Sequence, residues 1–307
     1  TEVEFWGEPA LISPIAIMGA SHFAQGKFIV GATERQEILA VGARAKSIAV
    51  IPVSHHGLID RDQLLEELTN DATVAIQAAN IETGVQQDLA DLTPLVGGLG
   101  AHLHLDFTAA GPLVKLPPYW STADFPAKSW DGPAGLGVML INNEQRWANP
   151  LALNTAHRAP GSFSLPLALA AAASLTGWLD DSAREADRMR SLITLMRTVI
   201  KQTIVDVDIA GTGATNQSLP HILSISILNV SGEELVSALA REGFAVASGS
   251  ACVASAIEPS HVLQAMGLLT HGNIRISLMH GVAESDVKKF LALLPGIVEK
   301  LRMDAGV

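Results

Sequence analysis

Cys252 is the only cysteine in 307 residues. It stands in the run Ala247-Ser248-Gly249-Ser250-Ala251-Cys252-Val253-Ala254. Small residues at this density do not build a core; they make a loop. Pro259 and Ser260 follow and read as the start of a helix carrying Val262, Leu263 and Met266. A thiol on a Gly/Ser loop just ahead of a helix is exposed, lies near a positive helix end and can reach a substrate. A lone cysteine can equally be a small buried hydrophobe. A second group is His102-Leu103-His104-Leu105-Asp106. On a strand the period of two puts both histidines and the aspartate on one face. That face suits a divalent metal of the hydrolase type, or two satisfied histidines at a strand end. No further ligand cluster stands out beside it, so no metal is assigned.

The elements that must position these residues follow from apolar periodicity. Val3–Phe5, Phe28–Val30, Ser47–Val53, Thr73–Gln77, Ala101–Leu105 and Gly135–Ile141 read as strands. A helix ending near Ile17, Glu34–Val41 and the acid-led Asp60–Leu68 read as helices between them. Apolar, β-branched strands alternating with helices predict a mostly parallel sheet covered on both faces, an α/β fold. Pro166–Ile200 is one long helical pattern of the kind that bridges domains. Beyond it, Ile222–Leu228, Phe244–Ala247 and Ile274–Leu278 read as strands, and Glu233–Glu242 and Glu284–Arg302 as helices. The expected division is a large α/β domain over 1–170, then the bridging helix and a smaller C-terminal α/β domain over 171–307.

Composition narrows the class. Hydrophobic residues make up 48% of the chain and the net charge is −11. An acidic chain without a basic patch is no partner for nucleic acid. No apolar run reaches the roughly 18–20 residues that cross a bilayer, so no membrane is expected. One cysteine forms no internal disulfide and no signal peptide is visible, which makes the cytoplasm the expected compartment. The sequence starts at Thr1 without a methionine, as a trimmed N-terminus would.

The run SGSAC, the following EPSHVLQAMG and the later NIRISL together closely resemble the cysteine desulfurase branch of the class V aminotransferase family. The resemblance runs through most of the chain. It implies the PLP-transferase-like fold (aspartate aminotransferase fold type I), apparently without its N-terminal part, and pyridoxal 5′-phosphate (PLP) as cofactor. It implies that Cys252 accepts sulfur from L-cysteine or a related amino acid as a persulfide. HLDFTAAG resembles the family's HVDAAQ strand, so Asp106 would pair with the protonated ring nitrogen that makes PLP an electron sink. The family glutamine three residues later is Ala109 here. Asn80 in NIETG would sit beside the ring, and Arg275 in NIRISL would grip the substrate carboxylate, a bidentate task suited to guanidinium.

The Schiff-base lysine is expected at Lys128. The family places a His-Lys pair just ahead of its GPxGxG turn, here Gly132-Pro133-Ala134-Gly135-Leu136-Gly137. Counted from that turn, the lysine's place can fall on Ser129; one extra turn residue restores Lys128. On an extended segment the two registers point opposite ways. Gly7-Glu8-Pro9-Ala10 holds the position of the family's phosphate loop, yet Glu8 repels a phosphate and Pro9 has no amide to donate. Arg35 replaces the histidine that stacks on the ring; a guanidinium can also stack. Three functions remain open: a PLP-dependent desulfurase acting through Cys252 and Lys128, a cofactor-free relative serving as scaffold or partner-binding protein, and a metal-dependent hydrolase using HxHxD. The resemblance further implies a homodimer and a sulfur-acceptor protein as partners.

Overall fold

A computed structural model describes residues 1–142, 146–151, 163–211, 218–248 and 259–306. Its first part alternates strands and helices: β1 (Glu2–Trp6), α1 (Ile12–Met18), β2 (Lys27–Gly31), α2 (Gln36–Val41), β3 (Ser47–Ile51), α3 (Arg61–Glu67), β4 (Thr73–Gln77), α4 (Leu89–Gly98), β5 (His102–Asp106), β6 (Thr122–Pro126) and β7 (Gly137–Ile141). The strands form one sheet in the order β1-β7-β6-β5-β4-β2-β3. The pairs from β3 through β6 are parallel, and β6-β7 and β7-β1 are antiparallel. The fold is therefore α/β with a mostly parallel sheet.

All five residues of β4 and of β5 are buried. A central parallel strand covered on both faces has no solvent side, which is why TVAIQ shows no polar alternation. The edge strand β3 instead exposes Ile48 and Val50. Helix α3 starts where the Asp60 side chain accepts bonds from the amides of Asp62 and Gln63, satisfying donors that the first turn leaves open.

The chain divides into two units. The first comprises Thr1–Ser54, Leu58–Asn80 and Gln86–Asp181; the second comprises His55–Gly57, Ile81–Val85 and Ser182–Val307. Helix α5 (Leu165–Thr203) belongs to the first through Asp181 and to the second from Ser182. The second unit continues with β8 (Val207–Ile209), β9 (Ile222–Ile227), α6 (Gly232–Arg241), α7 (His261–Met266), β10 (Asn273–Ser277) and α8 (Glu284–Asp304). Its three strands run in the order β10-β9-β8, all antiparallel. Its core joins Leu223, Ile225 and Ile227 of β9 to Leu235 and Leu239 of α6 and Leu294 of α8. Among the described residues no helix is long and apolar enough to cross a membrane.

Phe244–Ala247 is not a strand. It meets β10 only through a single bridge between Ala247 and Arg275. Strands β6 and β8 and helix α4 lie where the sequence suggested no element.

Candidate functional site

In open α/β sheets, ligand sites form at the carboxyl ends of the strands. In the first unit three central strands carry polar side chains there. Gln77 closes β4, Asp106 closes β5 and Asp124 lies on β6, with Gln77 opposite Asp106 and Asp106 opposite Asp124 in the ladder. The turn after β2 adds Thr33, Glu34 and Arg35, and Arg35 is the residue just before α2.

Side chains bind these ends together. Arg35 Nε donates to Asp106 Oδ2 at 2.6 Å and Nη2 donates to Ser13 Oγ of α1 at 2.8 Å. The other Asp106 oxygen accepts the Thr108 amide at 2.7 Å. Glu34 Oε1 accepts the Gln77 amide at 2.7 Å. Gln77 Nε2 and Asn80 Nδ2 both donate to the Thr33 carbonyl, each at 2.9 Å. Asn80 is thus buried beside the cluster, as a structural donor.

Three buried acids share one guanidinium here, and the charges cannot all be sustained. Burial alone would push Asp106 up, but the Arg35 charge and the bonds to Thr108 outweigh it and hold Asp106 below the usual carboxylate range. Glu34 and Asp124 are pushed up, first by burial and next by the Asp106 charge. For Arg35 burial opposes the charge, yet Asp106 and Asp124 raise it further.

The two histidines of HxHxD face β6. His104 Nδ1 lies 3.1 Å and His102 Nε2 3.4 Å from the same Thr122 hydroxyl, and His104 Nε2 is 3.4 Å from Asp124 Oδ1. Burial, then the neighbouring His104, pushes His102 down to about 3, so it is neutral at physiological pH. Among the described residues no group of three His, Cys, Asp or Glu is placed to hold a metal ion. Both rings of the motif pack on the same threonine.

Lys128 does not join this cluster. It lies on the short 3-10 turn Ala127–Trp130 and is exposed. Ser129, next along, is half-buried and donates to the Pro126 carbonyl at 2.7 Å. It packs against Gly111 in the turn after Asp106: a Cβ on Gly111 would come within 2.8 Å of the Ser129 Cβ. Of the two neighbours, Ser129 is therefore the one that meets Gly111. Glu8 and Gly7 are exposed, and Pro9 opens a three-residue 3-10 turn that no side chain caps.

The second unit holds Arg275 on β10. Its backbone exchanges both bonds with Ala247, at 2.6 and 3.0 Å, and Nη1 donates to the Ile81 carbonyl at 3.2 Å. Next to Ile81, Glu82 accepts from the Ser260 hydroxyl at 2.9 Å, and Ser260 caps α7 by accepting from the Leu263 amide. Burial pushes Glu82 up, against the Ser260 bond. Cys252 lies outside the described residues.

The sequence profile of the aminotransferase class-V family matches residues 15–290. A cysteine desulfurase of Nostoc sp. is 31% identical over 269 residues, covering 83% of this chain and 66% of that protein. The chain thus spans just under two thirds of that relative's length. A NifS-like protein from Rickettsia africae superimposes with a TM-score of 0.84 at 21% identity, over 97% of this chain and 82% of the other. The apo cysteine desulfurase of Thermococcus onnurineus gives 0.83 at 17%, over 98% and 80%. The chain belongs to the class V aminotransferase family, in its cysteine desulfurase-like branch.

Family membership implies PLP, and the cluster allows the fit to be tested. Both oxygens of Asp106 are already engaged, one by a guanidinium, where a ring nitrogen would have to bond. The residue against the Asp106 turn is a serine, and Lys128 is exposed. Glu8 stands at the start of the turn where a phosphate would need donors. As arranged, these residues do not fit a lysine-bound PLP.

Proposed function

We propose that this chain handles cysteine-derived sulfur through Cys252 without a PLP held on a lysine of its own. The observation that carries this is the closed Arg35–Asp106 pair at 2.6 Å, with Ser129 rather than Lys128 against the Asp106 turn. The relatives' name, cysteine desulfurase, supplies the sulfur chemistry, and the Cys252 loop and Arg275 supply the residues. Cys252 as thiolate attacks the outer sulfur of a persulfide donor; the donor S–S bond breaks and its thiolate leaves. That exchange is balanced without an external oxidant. Arg275 would hold the carboxylate of a donor of amino-acid type. A homodimer and a protein that takes the sulfur onward complete the proposal.

One observation favours a PLP enzyme instead. Asn80 and Asp106 are both present and buried next to the ends of β4 and β5. Incubation with PLP, borohydride reduction and peptide mass spectrometry separates the two. The expected result is no pyridoxyl group on any lysine, no sulfide released from L-cysteine, and sulfur on Cys252 after exposure to cysteine persulfide. A pyridoxyl group on Lys128, with sulfide release lost in Lys128→Ala, would establish the PLP enzyme.

A further inference from the structure

We infer that Arg35 is the built-in cation of the first unit: it stands against Asp106 where a protonated ring nitrogen would stand, and so completes the buried acid without a cofactor. The inference rests on the sulfur-transfer proposal only for the absence of a lysine-bound ring; its geometry is independent.

Arg35 is fixed from several directions. Its Nε meets Asp106 at 2.6 Å, its Nη2 meets Ser13 at 2.8 Å, and its Nη1 lies 3.9 Å from Glu37 on α2. Ser13 is fully buried on α1, so the guanidinium spans from that helix to the end of β5. The side chain of Arg35 is 17% exposed and that of Asp106 3%. A pair this dry is held in place, because separating it would strand a charge out of water.

The two oxygens of Asp106 divide the work. Oδ2 takes Arg35 and Oδ1 takes the Thr108 amide. A cationic ring nitrogen seeking Oδ2 would lie in contact with the guanidinium, and two like charges at contact in a buried site repel strongly. Arg35 therefore both satisfies the acid and bars a second cation from it. The adjacent acids fit this assignment. Asp124 is 1% exposed and turns to His104 and Thr108 rather than to a cation, while Glu34 takes the Gln77 amide. One guanidinium serves the one acid of the three whose carboxyl is held below its ordinary range.

Two measurements on the intact chain test this. The first is a double-mutant cycle of Arg35→Gln and Asp106→Asn, read by thermal unfolding of the first unit. Each single change strands the partner's charge or polar group and should lower the melting temperature by roughly 10 °C. The double change removes both charges and should melt no lower than the worse single. A double variant that melts below the wild type by the full sum of the two single losses would overturn the assignment. A single variant that fails to fold while the double folds supports it.

The second probe is pyridoxamine 5′-phosphate, which carries the ring and the phosphate but no aldehyde and so needs no lysine. Equilibrium dialysis with the wild-type chain should show no saturable binding. Saturable binding that Asp106→Asn abolishes would mean the ring reaches the acid past Arg35, and would overturn the inference. A pyridoxyl group found on Lys128 would instead sink the sulfur-transfer proposal while leaving the Arg35–Asp106 coupling to be read from the cycle.

Discussion

His102 should make the first unit sensitive to mild acid, and removing it should flatten that sensitivity. The imidazole is buried on β5, with Nε2 at 3.4 Å from Thr122 Oγ1 and Nδ1 buried without a hydrogen-bond partner among the described residues. Its folded value falls to about 3 from an ordinary 6.5, through burial first and His104 second. The sign follows from which state takes the proton. Below 6.5 the unfolded chain protonates this histidine and the folded chain does not, so stability falls as the pH falls, until the folded value is reached. Each unit of pH in that window is worth about 1.4 kcal/mol. From pH 7 to pH 5 His102 alone should therefore remove about 2 kcal/mol, a large share of a marginal stability.

Tryptophan fluorescence reads this locally. All five tryptophans, Trp6, Trp120, Trp130, Trp147 and Trp178, lie in the first unit. Urea unfolding at several pH values between 7 and 5 should show the wild type losing about 2 kcal/mol more than His102→Leu across that range. The other nine histidines are common to both proteins and cancel in the difference. His102→Gln provides a second non-titrating variant if leucine packs badly, since only the slope matters. Parallel pH profiles for wild type and both variants would refute the burial argument and show His102 titrating as an ordinary surface histidine.

Asp124→Asn should cost no more than about 1 kcal/mol, because the carboxyl is already pushed towards its neutral form, whereas Asp106→Asn should cost about 3–5 kcal/mol by stranding the Arg35 charge. Both are measurable by the same fluorescence unfolding. For Glu34→Gln the pH trend is opposite to that of His102. Glu34 has a raised folded value, so its contribution is lost as pH rises above its ordinary 4.5, and the glutamine variant should hold its stability better on the alkaline side of that value. Gly111→Ala should destabilise by roughly 1–3 kcal/mol, because φ is 48° there and the new methyl would press on Ser129; a fully neutral effect would mean that the Ser129 turn is not seated against it.

The parts of the fold that were legible in the sequence are those in which burial leaves no choice of residue. Strands β2 and β4 are buried on nearly every side chain and read as apolar runs. Strand β6 was not legible because TADFP carries an aspartate and a proline, and Asp124 tolerates burial only through His104 and Thr108, which tertiary structure supplies. Helix α4 hid behind Pro94, Gly97 and Gly98, breakers that here fall within or at the end of a ten-residue helix. Alternation places His102 and His104 on one face, but their common partner, Thr122, sits on β6, which no apolar run marks. The Arg35–Asp106 pair joins residues 71 apart, and no local pattern announces such a contact. Lys128 and Ser129 differ by one residue on a 3-10 turn, too fine a distinction for motif counting; packing against Gly111 distinguishes them.

The motifs that match the family best in the second unit have structural reasons to persist whether or not a cofactor is bound. Asn273 of NIRISL donates through one amide nitrogen to Ser224 Oγ, the Ile225 carbonyl and Ser226 Oγ of β9, at 3.0–3.2 Å. Ile274 and Ile276 sit in the core with Leu223 and Ile225. Even Arg275 anchors locally, pairing its backbone with Ala247 and giving Nη1 to Ile81. The neighbouring Glu82–Ser260 bond ties the NIETG turn to the cap of α7. Mutating these residues would therefore damage the second unit before it informed on catalysis. In the first unit the chemistry is more exposed to test, because Lys128 is on the surface and the Arg35–Asp106 pair can be neutralised on both sides at once. For that reason Arg35, Asp106 and Lys128 are the residues at which a PLP-dependent activity of this chain is best tested, and a strong match at Arg275 does not by itself argue for turnover.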